Sequence, residues 1–411
     1  MPAPFRALGW RNYALYWTGA LLSNIGSWMQ TVALGWLVLQ LTDSAFLVGF
    51  VSFAGLSPAL LLSLFGGVVA DRMDRQRILI VTQTAMLVST GILATLTAWG
   101  VVTVPQIIAL SFVTGLSGAM SVPAQQALIS ELVPADVLPS AISLNAVQFN
   151  LARVVGPAVA GFVITWLGTA ACFYVNSVSF LALIIATMCL RVEPRRPLPA
   201  SSFWGHLRAG VRYVRRHPLL LLILSTSTMV SVFALPFMVL MPVFARDVLQ
   251  IGPTGLGYLL GAPGVGAVVG GVSLAAMGAV HDRARLALAA GAALSMAVVA
   301  FALSRDARLS YVLLFIAGAG MTTCNATLNT LLQLTAEPNM RGRVLSMYAL
   351  TLFGFAPLGS LQAGTLAHFI GTPSAVAVGG SISLLFMATA LRRTRELRAQ
   401  ATLARSASLG G

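Results

Sequence analysis

Apolar stretches long enough to cross a lipid bilayer recur along nearly the whole chain, and nothing else constrains its fold as strongly. They run at roughly 13–41, 45–70, 78–99, 104–122, 140–166 and 170–190, then at 219–245, 255–280, 286–304, 309–332, 345–370 and 373–391. A hydrocarbon core about 30 Å thick needs about 20 residues of helix to span it. Inside that core each segment must satisfy its own backbone hydrogen bonds, so runs of this length predict α-helices rather than barrel strands. The expectation is an all-α integral membrane protein of twelve transmembrane helices. Only 9% of the residues are charged, against about 25% in soluble domains, too few to cover a water-soluble surface. The first run is too long for a signal-peptide core and no small-residue cleavage site follows it, so it is expected to remain as the first span.

All 25 basic residues are arginine, and the net charge is +14. Without lysine there is no Walker A loop and no Schiff-base nucleophile, which removes an intrinsic ATPase and lysine-based covalent catalysis. Cys172, Cys189 and Cys324 lie in apolar stretches with neither metal-ligand nor disulfide spacing. His206, His217, His281 and His368 form no H-E-x-x-H motif, and there is no G-x-S-x-G elbow. No enzyme, metal or cofactor is expected. The arginines sit in the short connections between spans, which argues against nucleic acid as the partner. Of the 25, 21 fall in one alternating set of connections, three (Arg246, Arg305 and Arg308) in the other, and Arg153 inside a span. By the positive-inside rule, an even number of spans with both termini in the cytoplasm follows.

The longest basic connection divides the chain. A first six-helix bundle is expected over 1–190, a cytoplasmic linker over 191–218, a second bundle over 219–391 and a cytoplasmic tail over 392–411. In the linker, Trp204, Leu207, Val211 and Val214 share one helical face, and Arg208, Arg212 and Arg215 another. That pattern reads as an amphipathic helix, either lying on membrane lipid or serving as a solvated connector. The two parts resemble each other. Gly67-Val-Val-Ala-Asp71-Arg72 has a counterpart in Gly278-Ala-Val-His-Asp282-Arg283, Gly55 in Gly266 and Pro157 in Pro357. Two six-span halves are a known transporter plan, with the substrate site between them near the membrane midplane.

The connection after the second span carries Gly67, Asp71, Arg72 and Arg75, with Arg77 just beyond. Glycine permits a tight turn at a helix end, a carboxylate is stabilised beside a helix N-terminus, and the arginines can pair with Glu131 or Asp136. These residues resemble motif A of the major facilitator superfamily, G-x-x-x-D-R-x-G-R-R/K. Asp74 stands where that motif has glycine, and Gln76 where it has a base. The stretch Ala152-Arg153-Val154-Val155-Gly156-Pro157-Ala158-Val159-Ala160-Gly161 resembles a looser form of the exporter motif, which ends GPxxGG. Ser27–Val38 and Pro123–Pro134 resemble the branch that includes the bacterial enterobactin exporter and macrolide efflux proteins, of the transmembrane secretion effector type.

The resemblance implies a location in the bacterial inner membrane and two pseudo-symmetric bundles. It also implies a cytoplasmic gate. Asp71 would cap the start of span eleven near Val344–Met347, with Arg72, Arg75 and Arg77 completing the network and Asp282 and Arg283 matching it. Gly156, Pro157 and Gly161 would let span five bend and pack closely as the halves rock.

Arg153 is the most telling single residue. A charge near the middle of a span costs about 2.5–3.5 kcal/mol on insertion scales, so it must face a partner or a wet cavity. Asn145, Gln148 and Asn150 share its span, Asn24, Trp28 and Gln30 lie in span one, and Asn325 and Asn329 in span ten. Together they are the candidates for a central substrate cavity. Phe233 and Phe237, which flank Pro236 in span seven, either touch a planar or greasy substrate or, the reading preferred here, serve core packing. No carboxylate lies deep in a span, and the candidates for carrying a coupling proton are Glu131 and Asp43 at opposite span ends.

The reading is a monomeric secondary active transporter that exports a small amphiphilic molecule, a siderophore, macrolide or other drug, by alternating access and driven by protons. Uptake of a small metabolite is the alternative within transport, against which the exporter-type motif speaks. A channel or a receptor without active transport is the alternative of another class.

Overall fold

A computed structural model of the chain describes residues 3–70, 74–190, 203–278 and 282–409, with side chains over 5–60, 74–190, 210–278 and 282–392. No strand occurs among the described residues. After a short turn of 3₁₀-helix at Ala3–Gly9 come α1 (Arg11–Thr42), α2 (Ala45–Ala70), α3 (Arg75–Ala98), α4 (Val104–Leu132), α5 (Leu138–Leu167) and α6 (Thr169–Met188). Then follow α7 (Phe203–Arg216), α8 (Pro218–Met229), the short α9 (Met241–Val243), α10 (Gly252–Ala276), α11 (Arg283–Leu303), α12 (Ala307–Thr335), α13 (Arg341–Ala349), α14 (Ala356–Ile370) and α15 (Thr372–Leu409). Ten helical segments, from α3 onward, are long and apolar enough to cross a membrane among the described residues. α1 and α2 pack into the same bundle.

Local chemistry explains where helices start and stop. Asp74 accepts from the Gln76 amide at 2.9 Å, Asp282 from Arg285 at 3.0 Å and Asp306 from Leu309 at 2.7 Å, each capping the helix that follows. Gly168 (φ +82°) alone joins α5 to α6, and Gly371 (φ +81°) alone joins α14 to α15. A left-handed backbone at a one-residue hinge favours glycine, and the matching hinges mark the internal repeat. The two prolines are less alike than their spacing in sequence suggests. Pro157 lies inside the continuous α5, whereas Pro357 opens α14 just after a wide turn at Leu350–Gly354.

Span eleven is broken between α13 and α14, span seven is broken as well, and span four is extended. Span seven is α8, a wide turn at Val230–Ala234, a 3₁₀ turn at Leu235–Met238 and α9. Pro236 and Pro242 withhold amides there, and helices kink where that happens. Span four runs past its expected end at 122 to Leu132, because Pro123 is accommodated inside α4.

Packing follows the small residues. α2 lies along α4, where a methyl group on Gly115 would stand 1.8 Å from the Gly55 carbonyl oxygen. α10 lies along α12 in the same manner, a methyl on Gly266 meeting the Phe315 carbonyl oxygen at 1.9 Å. Between the first six helices and the later ones, the long contacts are α5 with α10 and α2 with α14. Such close backbone approach through small residues is how helices associate in lipid, where no hydrophobic force drives them together. Phe237 is buried in the core, its ring centroid 6.4 Å from that of Phe301.

The linker helix α7 does not lie free. Val214 is buried, Gly210 contacts Met347 of α13, and the Glu337 amide donates to Tyr213 Oη at 3.2 Å. Its described residues pack on the second half and more sparsely on α2 of the first, while Arg212 and Arg215 stay exposed.

Candidate functional site

α1 and α5 are laced together along their length. Tyr13 Oη donates to the Ala141 carbonyl at 2.8 Å and Trp17 Nε1 to the Leu144 carbonyl at 3.0 Å. Further along, a methyl group on Gly156 would stand 2.5 Å from Trp28 Cβ, so only glycine admits Trp28 here. This approach sets the Trp28 ring beside Arg153, whose guanidinium carbon lies 6.0 Å from the ring centroid. Phe149, one turn before Arg153, meets Trp28 edge-on at 6.2 Å. From the other half, Met321 of α12 accepts a hydrogen bond on sulfur from Arg153 Nη2 at 3.6 Å.

Arg153 is 9% exposed, and its Nε has no partner. Among the described residues no carboxylate forms an ion pair with it. A guanidinium carries five donors, and a thioether is a weak acceptor for one of them. One turn after Met321, the buried Oδ1 of Asn325 lacks a partner, as does Nε2 of Gln148, which is 1% exposed. Orphaned buried polar atoms are rare in native proteins and call for an explanation. α5 and α12 thus carry polar groups whose hydrogen-bonding capacity the protein leaves unused.

The other cavity candidates divide. Asn24 is half-buried one turn before Trp28 on α1, and Asn145 is half-buried on α5. Gln30 is placed elsewhere. It follows Trp28 by two residues, about 200° around a helix, and its Oε1 accepts from Thr90 Oγ1 at 3.0 Å and Asn176 Nδ2 at 2.5 Å. It belongs to the packing of α1 against α3 and α6. Asn329 Oδ1 is occupied within α12 by Gln333 Nε2, and Asn150 Nδ2 by the Ala146 carbonyl. Met321 and Phe149 were not anticipated. Their signal was helical spacing, four residues from Asn325 and Arg153 respectively.

Of the exporter-type motif, Gly156 faces α1, while Gly161 and the Pro157 carbonyl face α10. A methyl on Gly161 would meet the Pro253 carbonyl oxygen at 2.8 Å, and one on Gly257 the Pro157 carbonyl oxygen at 2.5 Å.

Asp71 and Arg72 lie outside the described residues. Gly67 sits within α2, whereas Gly278 makes the expected turn, with φ +62° after α10. Arg75 forms an ion pair with Glu131 and contacts the Ala127 carbonyl. Asp136 pairs instead with Arg6 at 3.6 Å, and Arg77 with Asp74 at 3.6 Å. Asp74 caps α3 as Asp282 caps α11, which gives the residue at the glycine position of motif A a local task; Arg283 opens α11. At the arginine-poor end, Asp43 terminates α1 in a left-handed conformation (φ 50°) and pairs with Arg246 at 2.6 Å. Glu131 and Asp43 are therefore both engaged at helix ends, at opposite ends of the bundle.

Comparison with known proteins bears on the family and the fold. The family model described as a transmembrane secretion effector matches residues 2–409. The chain is 28% identical over 392 residues to the multidrug efflux pump Tap of Mycolicibacterium fortuitum, covering 92% of this chain and 95% of that protein. It is 25% identical over 234 residues to the staphyloferrin A transporter of Staphylococcus aureus, 57% of this chain and 59% of that one. Among solved structures, the nucleoside transporter NupG superposes with a TM-score of 0.70 at 13% identity, covering 95% of this chain and 99% of NupG. A D-xylose–proton symporter gives 0.67 at 16%, covering 92% and 96%. At those identities the structures attest the fold alone. A many-helix membrane bundle, matched over residues 2–409 by one family model, leads to one conclusion: the chain belongs to the transmembrane secretion effector family of major facilitator superfamily transporters.

Proposed function

We propose that this protein exports a small amphiphilic molecule by alternating access between two six-helix bodies, with twelve spans and both termini in the cytoplasm. The observation that carries the reading is the buried Arg153 with unused donors at the junction of α1, α5 and α12. The contacts around it support the same reading. The Arg246–Asp43 pair, the Thr165–Thr254 hydroxyl contact at 2.9 Å and the Gly49–Gly364 crossing join the halves near the arginine-poor end. At the arginine-rich end, α13 packs against α7, α8 and α12 of its own half. We read these contacts as a closure at the arginine-poor end. Arg75 and Glu131 belong to the gate proposed at the arginine-rich end.

The direction of transport rests on the exporter-type motif and on relatives named as an efflux pump and a siderophore transporter. Proton drive is part of the proposal. Glu131 is the better carrier, because it is 13% exposed against 81% for Asp43, so its protonation would release Arg75 from a shielded pair. Membrane lipid surrounds a monomer in this reading.

Everted vesicles under an imposed pH gradient test it. The exporter reading expects uptake of substrate into the vesicles, lost on collapsing the gradient and on replacing Glu131 and Asp43 together by their amides. Flux in the opposite sense would establish import, and flux indifferent to both treatments would remove proton drive.

A further inference from the structure

Resting on the transporter reading above, we infer that the site takes an anion, specifically an anionic group carried beside a flat aromatic or apolar body, with Arg153 as the residue that selects it. Four observations on one small region carry this. Arg153 is a buried cation whose Nε has no partner and whose Nη2 meets only a thioether sulfur among the described residues. A buried charge left without a counter-charge is costly unless something compensates it. Among the described residues no carboxylate provides that compensation, and the Trp28 ring offers only its face. The described carboxylates all lie at helix ends or in connections, including Asp43 with Arg246 and Glu131 with Arg75.

The missing counter-charge is therefore a place for a ligand. A guanidinium presents a planar fork that fits a carboxylate edge-on through paired hydrogen bonds. Next to it stand Trp28, half-buried, and Phe149, 49% exposed, with rings at 69° to each other. Two aromatic faces set at an angle form a corner for a flat body. Asn325 Oδ1, one turn from Met321 on α12, is a second buried polar atom without a partner near this region. A cationic amphiphile would meet the opposite situation, with a fixed positive charge ahead of it and no carboxylate to pair with.

The test uses purified full-length protein in detergent and three matched probes: 2-naphthoate, 2-naphthamide and 2-naphthylmethylamine, titrated calorimetrically. The ring is held constant and the charge runs from negative through neutral to positive. Naphthoate is expected to bind at least tenfold more tightly than the amine, with the amide between. Arg153→Gln should bring the three together, and Arg153→Lys should restore part of the order, because charge returns without the fork. Equal affinities in the unmodified protein, or a preference for the amine, would overturn the inference. So would a preference for naphthoate that survives Arg153→Gln. Should Arg153→Gln fail to fold, the order in the unmodified protein decides by itself, and Trp28→Ala, expected to weaken all three probes while keeping their order, locates the site. Failure here is separable from failure of the exporter reading. Vesicle flux of naphthylmethylamine without any binding of naphthoate would leave export standing and remove anion selection. An intact order of binding with no flux of naphthoate in either direction would do the reverse.

Discussion

Arg246, at the end of the broken seventh span, donates to Asp43 at 2.6 Å and to the Leu39 carbonyl at 3.0 Å, and so ties the two halves together at the arginine-poor end. Asp43 is held for this contact by its left-handed backbone at the close of α1. An exposed ion pair contributes about 0.2–1 kcal/mol, a magnitude suited to a contact that would break in each cycle of the proposed mechanism. Arg246→Ala should shift the ratio of open to closed forms at this end by up to about fivefold. Distances between spin labels at Gln40 and Leu249, in a Cys189→Ser background, would report the shift. An unchanged distribution would show that the pair does not hold the gate.

At the other end, Arg75 and Glu131 join α3 to α4 within the first half. Because Glu131 is shielded, removing one partner leaves the other charge poorly compensated. Arg75→Glu and Glu131→Arg singly are expected to abolish most transport. The double exchange should recover a substantial part of it in the vesicle assay. Full activity in either single variant would mean that the pair has no part in the cycle.

The α2–α4 crossing is a matter of sterics rather than charge. A methyl on Gly115 would overlap the Gly55 carbonyl, and overpacking of this kind costs about 1–3 kcal/mol. Gly115→Ala should lower the melting temperature in detergent. Gly342→Ala, where an added methyl meets nothing within 4 Å, should leave it unchanged.

Between the halves the same kind of substitution should act differently. Gly257→Val would push α10 from the Pro157 carbonyl, with little effect on packing inside either half. The variant is expected to insert and remain folded, yet to transport poorly, because the closed arrangement of the arginine-poor end is disfavoured. Cysteine accessibility at Thr254→Cys, in the same Cys189→Ser background, would rise if this is correct.

Much of the architecture was legible without coordinates, because lipid imposes one rule on every span. Long apolar runs must become helices, and arginine must stay at their ends. Arg153 stood out for the same reason, as the one charge that breaks the rule. Side-chain direction was not legible. Polarity in a span marks a residue as unusual but does not say which neighbour it faces. Gln30 and Trp28, two residues apart, serve different contacts, one in the packing of α1 against α3 and α6 and the other beside Arg153.

The sequence by itself determined the solvent of this protein, its helical class, its repeat and its family. Those depend on composition and periodicity along one chain. Tertiary structure alone decided that Asp43 meets Arg246, that Met321 meets Arg153 and that the arginine keeps unused donors. These are contacts between helices far apart in sequence. They are set by how closely glycines let backbones approach and by where prolines break a span.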